Sequence, residues 1–250
     1  MTAVVLSLAL ANSVSILDRA HSHNDYYRSR PLIEALEQGF ASVEVDVFLI
    51  EGKLLVGHDA KDLKPDRTIE SLYFDPLRER IRKNGGWVYP GVKKALWVLV
   101  DQKGRGGAAF DALQEVAAKY PEFKLGKPDA AVRLVVSGDR PVANILLQNG
   151  EVASLDGRWG DLGKGISTSA MPWVSEAWLS HFQWIGGGRF PYFQQKKLEW
   201  MVDQAHSQGY KIRFWGAPDT PAIWQAQWDA GVDFINTDRP KSLRDWMIRR

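Results

Sequence analysis

Apolar runs of five to eight residues recur along the chain, and amphipathic segments fill the gaps between them. Residues 42–50 alternate strictly. Val43, Val45, Val47 and Leu49 fall on one face and Glu44, Asp46 and Phe48 on the other, the period of a strand with unlike faces. Residues 95–100 and 132–136 are almost wholly apolar, as expected of strands covered on both sides. Residues 13–19, 152–155, 180–185, 210–215 and 232–236 complete a set of eight predicted strands. Helical patterns lie between them. Residues 31–38 begin with proline and stop at Gly39, 193–208 stop at Gly209, and 221–230 stop at Gly231. Residues 110–119, 141–148 and 241–248 read as further helices, and 156–191, rich in Gly and Trp, read as long loops.

Short strands alternating with helices of about ten residues are the rhythm of parallel β/α units. Eight such units close into a barrel at about 250 residues, and the chain has 250. An open doubly wound sheet carries a glycine fingerprint after its first strand. Here that position holds His21-Ser22-His23-Asn24-Asp25. The expected fold is therefore an α/β (β/α)8 TIM barrel, one domain over residues 1–250. Residues 1–12 are apolar but too short to span a bilayer. They read either as the end of a signal peptide, with Ala9-Leu10-Ala11 as a small-x-small site, or as a capping segment. Both a cytoplasmic and a secreted or periplasmic location stay open.

Composition removes several classes of function. With 45% hydrophobic and 25% charged residues the chain is not disordered. A net charge of +2, without long like-charge runs, gives no basis for nucleic-acid binding. The absence of cysteine removes thiol nucleophiles and thiolate metal sites. Any metal must then be held by oxygen or imidazole.

In a barrel the chemistry sits at the C-terminal ends of the strands. The polar residues that interrupt the apolar runs there are His21, His23, Asn24 and Asp25, then Glu44 and Asp46, then Asp101 and Lys103. Glu44 and Asp46 are two apart and share a face, and two inward carboxylates repel unless a cation joins them. Asp101, at the end of the next strand, supplies a third. Oxygen ligands of this kind suit one Mg2+ or Ca2+. The competing reading is ion pairing with Lys103, Arg133 or Arg213. His23 and His58 are the candidate acid and base of a phosphodiester cleavage. His21 packs or supports. Lys103 would stabilise developing charge on phosphate, its simpler alternative being an ion pair with Glu44. Asp59 is placed to orient His58, Asn24 to donate to a phosphate oxygen, and Trp215 either to wall the mouth or to pack in the core. Trp159, Trp173, Trp178 and Trp184 either line an apolar groove in contact with lipid or pack loops against the barrel.

The segments His23-Asn24-Asp25-Tyr26, Val43 to Val47, Gly57-His58-Asp59, Asp101-Gln102-Lys103 and the closing stretch Gly231 to Pro240 resemble the glycerophosphodiester phosphodiesterase and phospholipase-C-like phosphodiesterase superfamily. The resemblance covers residues 19 to about 245 and is closest to the Aim6-like branch. It implies a metal-dependent barrel hydrolase with catalytic His23, His58 and Lys103, and metal ligands Glu44, Asp46 and Asp101. Asn24 stands where the superfamily usually has arginine, and Asp101 where it commonly has glutamate, a feature similar to the sphingomyelinase D branch. The implied substrate is a small-molecule or lipid phosphodiester, cleaved by water or through a cyclic phosphate. Peripheral membrane contact is compatible with that substrate. The rival functions are a non-catalytic barrel that binds a phosphate headgroup and a metal-dependent barrel hydrolase of another substrate class. A glycosidase needs opposed carboxylates, which Glu44 and Asp46 on one strand do not provide.

Overall fold

The computed structural model describes residues 15–250, so the apolar segment 1–12 lies outside the described residues. Among the described residues nine strands form one sheet: β1 (Leu17–Ser22), β2 (Phe40–Ile50), β3 (Lys53–Val56), β4 (Leu96–Gln102), β5 (Val132–Gly138), β6 (Ala153–Gly157), β7 (Trp173–Ala177), β8 (Lys211–Trp215) and β9 (Phe234–Thr237). Eight of them run parallel, and the pairing of β9 with β1 closes the barrel. The ninth, β3, is an antiparallel hairpin partner of β2. Its turn is Glu51-Gly52, both with positive φ, as a two-residue hairpin turn that matches strand twist requires. Helices α1 (Ile33–Glu37), α2 (Asp75–Lys83), α3 (Gly106–Ala117), α4 (Val142–Gln148), α5 (Trp178–His181), α6 (Tyr192–His206), α7 (Pro221–Asp229) and α8 (Pro240–Met247) separate the strands. No helix among the described residues is long and apolar enough to cross a membrane.

The barrel has two packed regions. The outward strand faces, including Val43, Val45, Val47, Val98 and Val100, are buried against the helices in one large apolar cluster. Each such valine contributes about 1.5–3 kcal/mol relative to exposure. Inside, a second cluster of Leu99, Val135, Trp173 and Phe234, with Trp97 against it, forms a floor. Trp173 meets Trp97 and Phe234 edge-on, with ring centres 5.1 and 4.8 Å apart. Other interior positions are polar: His21, Ser42, Glu44, Ser137, Asp156, Ser175 and Arg213 are all buried. They satisfy one another by hydrogen bonds, which is the condition for burying them.

One predicted strand is misplaced. Residues 180–185 are not a strand, and 156–191 are not loop throughout. The seventh barrel strand is β7, followed by the short α5. Its inward residues Trp173 and Ser175 both donate to the Asp156 carboxylate, at 2.7 and 2.5 Å. A strand whose inner face serves a buried carboxylate does not show apolar alternation.

Candidate active site

The strand register brings the acids together. Asp46 of β2 lies beside Asp101 of β4 in the parallel ladder, and Glu44 is two residues before Asp46 on the same face. Glu44, Asp46 and Asp101 each offer an oxygen within 4.8 Å of the others. The Asp46 oxygens differ. Oδ2 accepts from the Tyr26 hydroxyl at 2.7 Å and pairs with the Lys103 ammonium at 2.9 Å. Oδ1 is buried and has no hydrogen-bond partner among the described residues. Lys103 also reaches Asp101 Oδ1 at 3.0 Å, so its ion-pair partners are Asp46 and Asp101 rather than Glu44. Burial, with the Glu44 charge behind it, pushes Asp46 up to about 6, and burial also raises Asp101. Burial opposes ionisation of Glu44 as well. There the His23 and Arg213 charges outweigh it and hold the carboxyl well below its ordinary range. Three clustered carboxylates and one unpartnered buried oxygen fit a hard divalent cation held by oxygen. Arg213 does pair with Glu44, at 3.1 Å, whereas Arg133 lies over the Trp97 ring instead.

The histidines divide. His21 is fully buried, with Nδ1 2.7 Å from Ser42 Oγ and Nε2 2.7 Å from Arg213 Nη1. The guanidinium can only donate, so Nε2 accepts and Nδ1 carries the proton. Burial and Arg213 push its pKa down to about 4, so the ring is neutral and positions its neighbours. His23 stands just beyond β1, with Nε2 3.9 Å from Glu44 and Nδ1 3.0 Å from Asp238. Burial lowers its pKa, but Glu44 and Asp238 prevail and raise it. Asn24 Nδ2 also approaches His23 Nδ1 at 3.0 Å, which cannot donate to Asp238 and accept from Asn24 together. The raised pKa favours the bond to Asp238. The Asn24 carbonyl lies 2.8 Å from the Tyr26 hydroxyl, whose single proton goes to Asp46. His58 follows β3 with a side chain 48% exposed, stacked over Tyr27. Asp59 is 3.4 Å from its Nδ1, longer than an ordinary hydrogen bond.

His23, Asn24, Glu44, His58, Asp101, Lys103 and Trp215 line one cavity of about 420 Å³. Trp215, at the end of β8, is 44% exposed. The four loop-region tryptophans form no groove as a set. Trp173 and Trp178 are fully buried, Trp184 stacks on Phe190, and Trp159 packs on Trp200. Ser137, Arg158 and Arg213 also line the cavity, and Asp238 and Tyr26 touch its key groups. The sequence offered a partial signal for these, since Arg158 follows β6 and Asp238 follows β9, at strand ends where a barrel keeps its chemistry.

The AIM6-like phosphodiesterase domain matches residues 11–122, and the glycerophosphoryl diester phosphodiesterase family matches residues 211–241. Altered inheritance of mitochondria protein 6 of Lachancea thermotolerans is 26% identical over 280 residues, covering 92% of this chain and 65% of that protein. Its counterpart in Eremothecium gossypii is 27% identical over 271 residues, covering 92% and 69%. The chain thus spans about two thirds of the length of these relatives. A crystal structure of a glycerophosphodiester phosphodiesterase from Parabacteroides distasonis superimposes with a TM-score of 0.57 at 18% identity, covering 92% of this chain and 97% of that one. In sequence the chain resembles the AIM6-like phosphodiesterases, and in fold it shares the closed (β/α)8 barrel of the glycerophosphodiester phosphodiesterases.

Proposed function

We propose that the barrel is one phosphodiesterase domain that cleaves a glycerophosphodiester or phospholipid-type phosphodiester with the help of one divalent cation, Mg2+ or Ca2+. The observation that carries this reading is the triad Glu44, Asp46 and Asp101, whose Asp46 Oδ1 is unpartnered among the described residues, with Glu44 and Asp101 lining a cavity shared with two histidines and a lysine. A divalent cation held by the three carboxylates supplies Lewis-acid polarisation of a phosphoryl oxygen. The chain's own residues do the rest. Lys103 presents an ammonium to the charge that develops on the phosphate. Of His23 and His58, one takes the proton of the attacking oxygen, and the other returns a proton to the departing alcohol. Asp238 fixes the His23 ring through Nδ1 and leaves Nε2 toward the cavity. Asn24 and Trp215 contact the substrate at the wall, and Asp59 adds negative charge beside His58.

The attacking oxygen is either water or a neighbouring hydroxyl of the substrate. Phosphorus spectra separate the two, because only the second route gives a cyclic phosphate. The test is turnover of glycerophosphodiesters and lysophospholipids with Mg2+, Ca2+ or chelator. Chelator and Glu44→Gln should each abolish cleavage, and His23→Ala or His58→Ala should lower it by about 10²–10⁴. Full activity in metal-stripped protein would refute the reading.

A further inference from the structure

The large apolar side chains that stay in solvent are unevenly placed. Among the described residues Leu179, Ile185, Tyr192 and Phe193 are each more than half exposed, and Phe193 reaches 86%. Single exposed apolar residues are ordinary, whereas a group of them marks a contact surface. These four belong to one stretch at the barrel mouth. α5 follows the mouth end of β7 directly, and α6 runs from the mouth back to the start of β8, so its first turn is at the mouth too. Gln194 Oε1 accepts from the Gln183 and Trp184 N–H groups at 3.0 and 3.1 Å, and Lys197 Nζ donates to the His181 carbonyl at 3.2 Å. These bonds hold the α5–α6 connection against the first turns of α6. Trp215, paired with Ala177 in the β7–β8 ladder, carries the apolar surface on to the cavity rim.

The patch stands on a packed base. Beneath it Trp178 and Phe182 are buried, with ring centres 4.4 Å apart, and the Trp178 indole N–H donates to the Trp184 carbonyl at 2.9 Å. Above that base the chain projects. Ile185 is followed by three glycines, and a Cβ on Gly187 or Gly188 would meet nothing within 4 Å. Charge along the stretch has one sign. Residues 177–198 contain Arg189, Lys196 and Lys197 and no Asp or Glu. Lys196 pairs with Glu199 one turn on, while Arg189 and Lys197 have no carboxylate partner among the described residues. Glu176, just before the stretch, is turned to His181 and the Trp159 N–H. Projecting apolar side chains set among cations complement a bilayer with anionic headgroups, where the apolar groups enter the acyl boundary and the cations meet lipid charge.

We infer that this face is a docking surface for an anionic bilayer, with Leu179, Ile185, Tyr192 and Phe193 entering the interface and Arg189, Lys196 and Lys197 meeting the headgroups. Docked in this way, the cavity opens beside the bilayer along Trp215. That the cavity then draws a phosphodiester lipid from the bilayer rests on the proposed phosphodiesterase reading; the docking itself does not.

Co-sedimentation with vesicles of phosphatidylcholine, alone or in a roughly 7:3 mixture with phosphatidylglycerol, tests this. The wild type should bind the anionic vesicles about tenfold or more tightly than the neutral ones, and high salt should remove that preference. Phe193→Ser should weaken binding to the anionic vesicles about tenfold. Arg189→Gln combined with Lys196→Gln should weaken it about tenfold on the anionic vesicles alone. Leu147 of α4 is 85% exposed but lies at the opposite end of the barrel, so Leu147→Ser should change nothing. All these positions are exposed, and circular dichroism and melting midpoints should match the wild type. A wild type that ignores anionic vesicles, or equal losses in Phe193→Ser and Leu147→Ser, would overturn the docking surface. Self-association lost in Phe193→Ser, without vesicle binding, would give the face to a second copy and overturn it as well. Equal wild-type affinity for the two vesicles would overturn the anionic preference. With substrate, Phe193→Ser should slow cleavage of a vesicle-borne lysophospholipid about tenfold and leave a soluble glycerophosphodiester unaffected. Phe193-dependent vesicle binding by a protein that cleaves neither would keep the docking and remove the substrate half.

Discussion

Asp156 shows how much of this barrel is decided by single buried groups. Burial alone would raise its pKa. Arg158 and Arg213, with the hydroxyls of Ser175 and Ser137, more than offset that and lower it. Because the folded value lies below the unfolded one, folding favours the carboxylate. That stabilisation is complete above about pH 4 and is lost as pH falls through the folded value. Asp156→Asn should cost about 3 kcal/mol at neutral pH, since it leaves Arg158 without its counter-charge and turns an amide donor toward other donors. It should also flatten the acid side of the stability profile below about pH 4. Urea melts across pH read both effects, and an unchanged acid limb would show that the carboxylate form is not what folding selects. None of this was legible from sequence, where Asp156 is one acid in a Gly- and Trp-rich stretch. By contrast Glu44 and Asp46 declared themselves, because they are the charged half of an alternation whose other half is valine.

At the scale of elements, the site depends on close approach between β4 and β5. Gly138 ends β5 with φ +71°, and a Cβ there would lie 2.4 Å from the Gln102 carbonyl and 2.6 Å from Asp101 Oδ1. Gly138→Ala should therefore displace Asp101 as well as strain the backbone, lowering divalent-cation affinity together with stability. Gly52, with φ +77° and no neighbour within 4 Å, is the control. Gly52→Ala should cost only about 1–2 kcal/mol of backbone strain and leave cation affinity unchanged. Cation titration of both variants separates the cases, and equal losses in the two would contradict the role given to the β4–β5 approach. The strands that bury apolar residues on both faces, such as β4 and β5, were readable from their composition. β7 was not, because its inner face is built around Asp156.

At the scale of the whole molecule, barrel closure makes the site. The β9–β1 pairing brings Asp238 to His23 across 215 residues of sequence, and Arg213 reaches His21 across 192. Such partners have no local signature, which is why the rhythm of the chain gave the barrel while the groups that tune His21 and His23 emerged only from the fold. Closure also polarises the cavity, with acids and imidazoles on the β1–β2–β4 side and guanidinium groups on the β6–β8 side. The proposed chemistry requires the acidic side to hold a cation. Diffraction from crystals grown with Mn2+, recorded at the manganese absorption edge, tests that most directly. One strong anomalous peak in contact with Glu44, Asp46 and Asp101 is the expected result, whereas a protein crystallised in saturating Mn2+ with no peak at that triad would contradict it.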